Sequence, residues 1–202
     1  MPAFTFVRHG QSTANRDGWM AGHLDAPLTD LGETQAITAR DEVLRRSYAR
    51  AFCSDLTRAR RTAELILEGT EIPLHVTPRL RERSAGAWQG RTVEELQREG
   101  ALDRDFHPWT ASPPEGESLA RVARRAIDFL AEIEGDAIDT LVVAHGALIR
   151  AVLLVVDDQP RDRLDGWRPR NCEAVTRDLP VGGWAKLQRA LVSDPERGAA
   201  HG

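Results

Sequence analysis

The sequence predicts an α/β protein: a three-layer sandwich with a mostly parallel central sheet flanked by helices, plus a small cap insertion. Three observations carry that reading. Short runs of β-forming residues alternate with stretches of helical periodicity, the pattern of βα units. One run, Thr140–Ala144 (TLVVA), is apolar without alternation, which suits a central strand covered on both faces. Residues 83 to 116 break the pattern and end at Pro113-Pro114, so they read as a cap over the sheet.

In chain order, residues 4–7 form a first strand that ends at Arg8-His9-Gly10. Residues 11 to 28 are polar, carry Gly18, Gly22 and Pro27, and read as a loop. Thr29 caps a helix from about 31 to 46. Residues 49–53 make a second strand, after which Ser54 or Asp55 caps a helix ending at Leu67, with Ala59, Ala63 and Ile66 on its apolar face. Residues 72–77 suit an edge strand, because Pro73 fits poorly in a central one. A short helix lies near 92–99. Ser118 caps a long helix in which Leu119, Val122, Ala126, Ile127, Leu130 and Ile133 recur at helical spacing. TLVVA ends at His145-Gly146 and is followed by a helix to about 155. Residues 172–178 and 183–188 read as a terminal hairpin around Gly182-Gly183, and the last dozen residues, polar and small, are expected to be mobile. Neither a solenoid repeat nor an interdomain linker is visible, so 1–202 is read as one domain with its cap at about 83–116.

The 202 residues are 41% hydrophobic and 29% charged, enough for a core and a solvated surface. A net charge of -4 gives no basic footprint for nucleic acid and no polybasic membrane patch. Lys186 is the only lysine, a bias that a GC-rich genome produces without functional cause. Cys53 and Cys172 have no metal-type spacing and make no disulfide framework. The N-terminus lacks a secretory pattern, and no apolar run approaches the ~20 residues of a membrane span. A soluble, cytoplasmic protein is expected.

Chemistry gathers at three strand ends. The first strand delivers Arg8 and His9, the second delivers Arg58 one turn into its helix, and TLVVA delivers His145. Ligands of open α/β sheets bind at the carboxyl ends of strands, near helix N-termini. Four cationic or potentially cationic groups therefore converge, and such a cluster repels itself unless an anion sits among them. Arg58 is the sharpest clue. A cation in the first helical turn is unfavourable by ~0.3–1 kcal/mol, and a dianionic phosphate there reverses the sign. Alone it would read as a solvated arginine, and one His-Gly pair alone as a hydrogen-bonded loop histidine. Two such pairs after two strands, with Arg58 beside them, favour a site. Imidazole can be neutral and nucleophilic near pH 7, and nearby positive charge lowers its pKa.

Residues 6–15, Phe-Val-Arg-His-Gly-Gln-Ser-Thr-Ala-Asn, resemble the Arg-His-Gly signature of the histidine phosphatase superfamily, also called phosphoglycerate mutase-like. Asp25-Ala26-Pro27-Leu28-Thr29 with Gly32, Ser54 to Ala59 with Thr62-Ala63, Leu80-Arg81-Glu82 with Gly86, Pro114 to Ser118, and Ala144-His145-Gly146 resemble five further segments of that family in the same order. The resemblance covers nearly the whole chain and implies roles. His9 would attack phosphorus and become phosphorylated. Arg8, Arg58 and His145 would hold the phosphoryl oxygens, arginine through bidentate charge-assisted hydrogen bonds. Asn15 and the Gly146 N–H would add neutral donors, with Ser12 a weaker candidate. Glu82 would donate the proton to the leaving oxygen and then activate water; in isolation it would read as a surface ion-pair partner of Arg81 or Arg83. No metal and no cofactor is expected.

Family members that are cofactor-dependent mutases carry a second anion-holding set. Here Arg83 is kept, but Ala85, Val93 and Ala147 stand where that set has a tyrosine, a lysine and an asparagine, and no arginine pair precedes Pro113. That favours the phosphatase branch and transfer to water, with a small-molecule phosphate ester as partner. A mutase, or an inactive binding module on the same fold, is the alternative. Gly22, Arg83, Trp88 and Trp109 are candidate substrate contacts. Trp19, Phe106 and His107 accompany them, and such aromatics more often fill the joint between cap and core. Gln89, where many relatives are acidic, is a departure of unassigned role.

Overall fold

The computed structural model describes residues 1–102, 106–135, 138–160 and 167–193. Among them, five strands form one sheet in the order β3-β2-β4-β1-β5. β1 (Ala3–Arg8) runs parallel to β4 (Thr140–Ala144), β4 to β2 (Arg50–Ser54) and β2 to β3 (Leu74–Thr77), while β5 (Ala174–Asp178) is antiparallel to β1. β4 is the middle strand, buried at all five residues, as its unbroken apolar run predicts. β3 is the edge. Pro73 lies just before it and contributes only its carbonyl, which accepts from the Ala51 N–H.

The pleat sorts side chains into two cores. Phe4, Phe6, Val142 and Ala144 face α5 (Leu119–Ile133), α6 (Gly146–Val156) and α7 (Gly183–Ser193). Val7, Ala51, Cys53, Leu141 and Val143 face the other way, where α3 (Thr57–Leu67) contributes Ala63 and Ile66 and α2 (Asp30–Val43) contributes Val43. Helices thus cover both faces. The stripe on α5 falls where its periodicity predicts, and each of Leu119, Ile127, Phe129 and Leu130 contributes about 1.5–3 kcal/mol by burial.

Caps follow the sequence at two helices and depart from it at one. Thr29 accepts from the Gly32 N–H at α2, and Ser118 from the Arg121 N–H at α5. For α3 neither Ser54 nor Asp55 is the N-cap; Leu56 is, and it has no capping side chain. Asp55 is drawn into a bidentate pair with Arg81, at 2.8 and 2.6 Å. The cap comes from the long loop instead: Asp25 Oδ1 accepts from the N–H and hydroxyl of Thr57. That loop is also more ordered than its composition suggests. It holds α1 (Thr13–Asp17), started by a Ser12–Asn15 capping box and stopped by Gly18 at φ +74°.

Within the expected cap, α4 (Val93–Arg98) starts from a Thr92–Glu95 capping box. Ala85, Trp88 and Leu96 form a small core there, with Met20 and Phe106 against it. Residues 103–105 of this segment, and 194–202 of the tail expected to be mobile, lie outside the described residues.

The C-terminal hairpin is a misreading. Only β5 is a strand; residues 183–193 are α7. Trp184, Leu187 and Leu191 recur at helical spacing and pack on the core beside α5, and Glu134 caps α7 by accepting from the N–H groups of Trp184 and Ala185. Among the described residues no helix is long and apolar enough to cross a membrane.

Candidate active site

The strand order sets the carboxyl ends of β2, β4 and β1 side by side. From them come Arg58, in the first turn of α3, then His145, then Arg8 and His9. The turn after β1 is tight for a steric reason. A Cβ on Gly10 would stand 2.3 Å from the Gly32 carbonyl oxygen, and one on Gly32 would stand 2.1 Å from that of Gln11. The glycines of the two segments therefore seat the His9 loop against the start of α2.

His9 is 3% exposed, and its Nδ1 lies 2.7 Å from the Gly10 carbonyl oxygen. A carbonyl only accepts, so Nδ1 carries the proton and Nε2 keeps its lone pair. Burial, then the positive charges of Arg58 and Arg8, hold the imidazole well below its usual pKa, outweighing the Gly10 bond. His145 lies 5.1 Å away, ring centre to ring centre, is fully buried, and is pushed down by burial, Arg58 and His9. Both its ring nitrogens are buried without a partner among the described residues, at a cost of about 1–3 kcal/mol each if nothing binds them.

These shifts predict a pH dependence of stability. Below about pH 6.5 the unfolded chain protonates both histidines while the folded one resists, so stability falls as pH falls. Each should remove up to about 1.4 kcal/mol per pH unit until its depressed folded value is reached. Urea midpoints of the protein at pH 7, 6 and 5 should decline, and those of His145→Asn should decline less steeply.

The arginines are held by backbone. Arg58 is 2% exposed; its Nη1 donates to the Leu24 carbonyl at 3.0 Å and its Nη2 to that of Gly22 at 2.8 Å. Two of its five N–H groups are used, and the carbonyls offset part of the charge that its place at a helix N-terminus makes unfavourable. Gly22 reaches this pose at φ +51°. Arg8 Nη1 donates to the Pro169 carbonyl at 2.8 Å, and its Nε is buried without a partner among the described residues.

Glu82 meets the site from the segment that follows β3. Its Oε2 accepts from the Ala147 N–H and its Oε1 from the Leu148 N–H, both at 3.3 Å, in the first turn of α6. Oε1 also accepts from the Arg83 N–H at 2.9 Å. His145 and Glu82 thus share one helix N-terminus, with Gly146 between them.

The remaining candidates divide. Ser12 and Asn15 are committed to starting α1: Asn15 Oδ1 accepts from the Ser12 N–H and hydroxyl, which leaves the Asn15 amide nitrogen as its spare donor. Arg83 is fixed beside the site by the carbonyls of Glu117 and Ala111, over the Phe106 ring. Trp88 sits in the small core of the cap, 5.0 Å from Phe106, and Trp109 is fully buried in the main core. Trp109 therefore offers no face to a ligand; the main core claims it.

Two supports have no separate reading in the sequence. Thr62 Oγ1 accepts from the Gly10 N–H and donates to the Arg58 carbonyl, linking both sides of the site; its helical spacing of four from Arg58 was the available signal. Asn171 Nδ2 donates to the His9 carbonyl at 2.9 Å from 162 positions away, a contact with no local signature.

A sequence profile of the histidine phosphatase superfamily (branch 1) matches residues 4–190. An adenosylcobalamin/α-ribazole phosphatase of Salmonella typhimurium is 34% identical over 154 residues, 73% of this chain and 75% of that protein. A 2,3-bisphosphoglycerate-dependent phosphoglycerate mutase of Gloeobacter violaceus is 34% identical over 195 residues, 91% and 88% of the two chains. The fold superposes on a mycobacterial glucosyl-3-phosphoglycerate phosphatase in complex with VO3 with a TM-score of 0.80 and 30% identity, over 87% and 92% of the two chains. This chain belongs to the histidine phosphatase superfamily, branch 1.

Proposed function

We propose that this protein is a phosphoric monoester hydrolase that cleaves a small-molecule phosphate ester through a phosphohistidine on His9. One observation carries the reading. A neutral His9 with its Nε2 free of any partner among the described residues meets donors of Arg8 and His145 that likewise lack one there, and the spare N–H groups of Arg58, at the ends of three adjacent strands. A phosphoryl group satisfies all of them at once.

His9 Nε2 attacks phosphorus, forming the N–P bond as the ester P–O bond breaks. Arg8, Arg58 and His145 hold the non-bridging oxygens, and donors already aimed at the developing charge need little reorganisation. Glu82 hands a proton to the leaving oxygen and then takes one from the water that cleaves N–P. The three N–H bonds it accepts fix the position of its carboxyl group against the first turn of α6 and the Arg83 main chain. His9 Nδ1–H stays on the Gly10 carbonyl throughout, so the same nitrogen leaves that attacked.

Water is favoured over a second substrate as acceptor. Ala85 lies in the small core of the cap, Val93 opens α4 with no donor, and Ala147 gives its N–H to Glu82. None can hold a bisphosphate while it reorients. The two cysteines are free and buried, which agrees with a reducing, cytoplasmic setting.

The test is a panel of phosphate monoesters, α-ribazole phosphate and glucosyl-3-phosphoglycerate among them, assayed for released phosphate with EDTA present and 2,3-bisphosphoglycerate absent. Hydrolysis of at least one member under those conditions is expected, with vanadate inhibiting. Faster interconversion of 3- and 2-phosphoglycerate than hydrolysis of any ester would establish a mutase instead, and activity that EDTA abolishes and metal restores would contradict the metal-free mechanism.

A further inference from the structure

His23 has no part in the chemistry above, yet it bridges the two halves of the site. Its main-chain N–H donates to Gln89 Oε1 at 2.7 Å, and its ring Nε2 lies 2.8 Å from the Glu82 carbonyl oxygen. Because that oxygen only accepts, Nε2 is the protonated nitrogen. The residues on either side, Gly22 and Leu24, are the two whose carbonyls hold Arg58. The loop that grips Arg58 therefore reaches across to the backbone of Glu82.

Few other groups fix that point. The Glu82 carbonyl receives one longer bond, 3.4 Å, from Arg125 Nη2. Arg125 is paired with Glu117, whose carboxylate also accepts from the Ser84 N–H and lies 3.8 Å from His23 Nε2. The carbonyl sets ψ of Glu82 and hence where its carboxylate can reach. That reach ends in two 3.3 Å contacts with the first turn of α6, long enough that a small backbone shift loses them.

We infer that His23 is a positioning residue for proton transfer: by tying the Arg58-gripping loop to the Glu82 carbonyl, it keeps the bound phosphoryl group and the carboxylate in one register. This rests on reading Glu82 as the proton donor. It also gives Gln89 a role, as the acceptor that holds His23 from behind.

The experiment compares kcat/KM for an alkyl phosphate and p-nitrophenyl phosphate in His23→Ala, His23→Gln, Glu82→Gln and the His23→Ala/Glu82→Gln double variant, with melting temperatures confirming the fold. Misplacing a catalytic group by about 1 Å can cost 10²-fold. His23→Ala should therefore lose about tenfold or more on the alkyl ester and less than about threefold on the aryl ester, whose leaving group needs little protonation. His23→Gln, which keeps an N–H of similar reach, should recover most of the loss. With Glu82 already replaced, His23→Ala should cost nothing further on the alkyl ester. Equal losses on both esters, or a loss undiminished in the double variant, would make His23 a prop for Arg58 and overturn the inference while leaving the function intact. Glu82→Gln that does not discriminate between the esters would show that the donor reading has failed, and the inference with it.

Discussion

Replacing His9 with alanine is expected to lower turnover of every ester this protein hydrolyses by roughly 10⁴–10⁶-fold, the scale on which a lost covalent nucleophile is felt. The nitrogen is prepared by its surroundings. The Gly10 carbonyl fixes the tautomer, and burial with two flanking guanidinium groups keeps the ring neutral. His145, the other buried imidazole, lies at the helix N-terminus that Glu82 also occupies, and its proposed part is to bind oxygen. The alanine variant should stay folded, since the His9 side chain makes one hydrogen bond, to its own neighbour. It should still bind vanadate or phosphate through Arg8, Arg58 and His145. Initial rates of phosphate release and a ligand-induced rise in melting temperature check both halves. A variant that keeps more than about a hundredth of wild-type turnover would point to a different nucleophile.

The second large effect concerns Glu82. A positioned acid contributes about 10²–10⁴-fold, most where the leaving group is poor. Glu82→Gln should therefore cut kcat/KM for an alkyl phosphate by about 10²-fold or more and that for p-nitrophenyl phosphate by less than about tenfold. The comparison belongs in kcat/KM, which reports steps up to phosphorylation. Water attack on phosphohistidine follows, and there the variant has lost its base. On the aryl ester it should thus show a burst of p-nitrophenol near one per enzyme, then a slow steady state. Equal losses on both esters with no burst would assign Glu82 to holding its own segment on α6, the role its two N–H contacts there also fit.

Where side chains decide locally, the sequence is legible. The apolar run of β4, the Ser118 cap and stripe of α5, and the His-Gly pairs after β1 and β4 can each be read within a few residues. The elements that escape are those settled at a distance. Gly182-Gly183 looks like the turn of a hairpin with 183–188 as its second strand, yet Glu134, fifty positions before Trp184, caps the N–H groups of Trp184 and Ala185, and the α5 layer supplies the apolar surface that makes the segment helical. Asp55 looks like a cap until Arg81 claims it, and Asp25, thirty-two positions from Thr57, takes its place. Trp109 shows the same limit within the candidate site: an aromatic in an irregular segment reads as a ligand platform or as packing, and only the core it enters distinguishes them. His9, Arg8, Arg58, His145 and Glu82 could be proposed because their motif spacing is local. What orients them, through Asn171, Pro169 and Thr62, comes from up to 162 positions away.

The most direct test of the central claim is to trap the intermediate. Wild-type protein mixed with a phosphate-labelled ester and quenched in alkali within milliseconds should carry about one label per chain, stable in base, lost in acid, and mapped by peptide sequencing to His9. His9→Ala treated identically should carry none. A wild-type chain that turns over ester but never acquires label, or one whose label is acid-stable and lies on another residue, would contradict a phosphohistidine at this position.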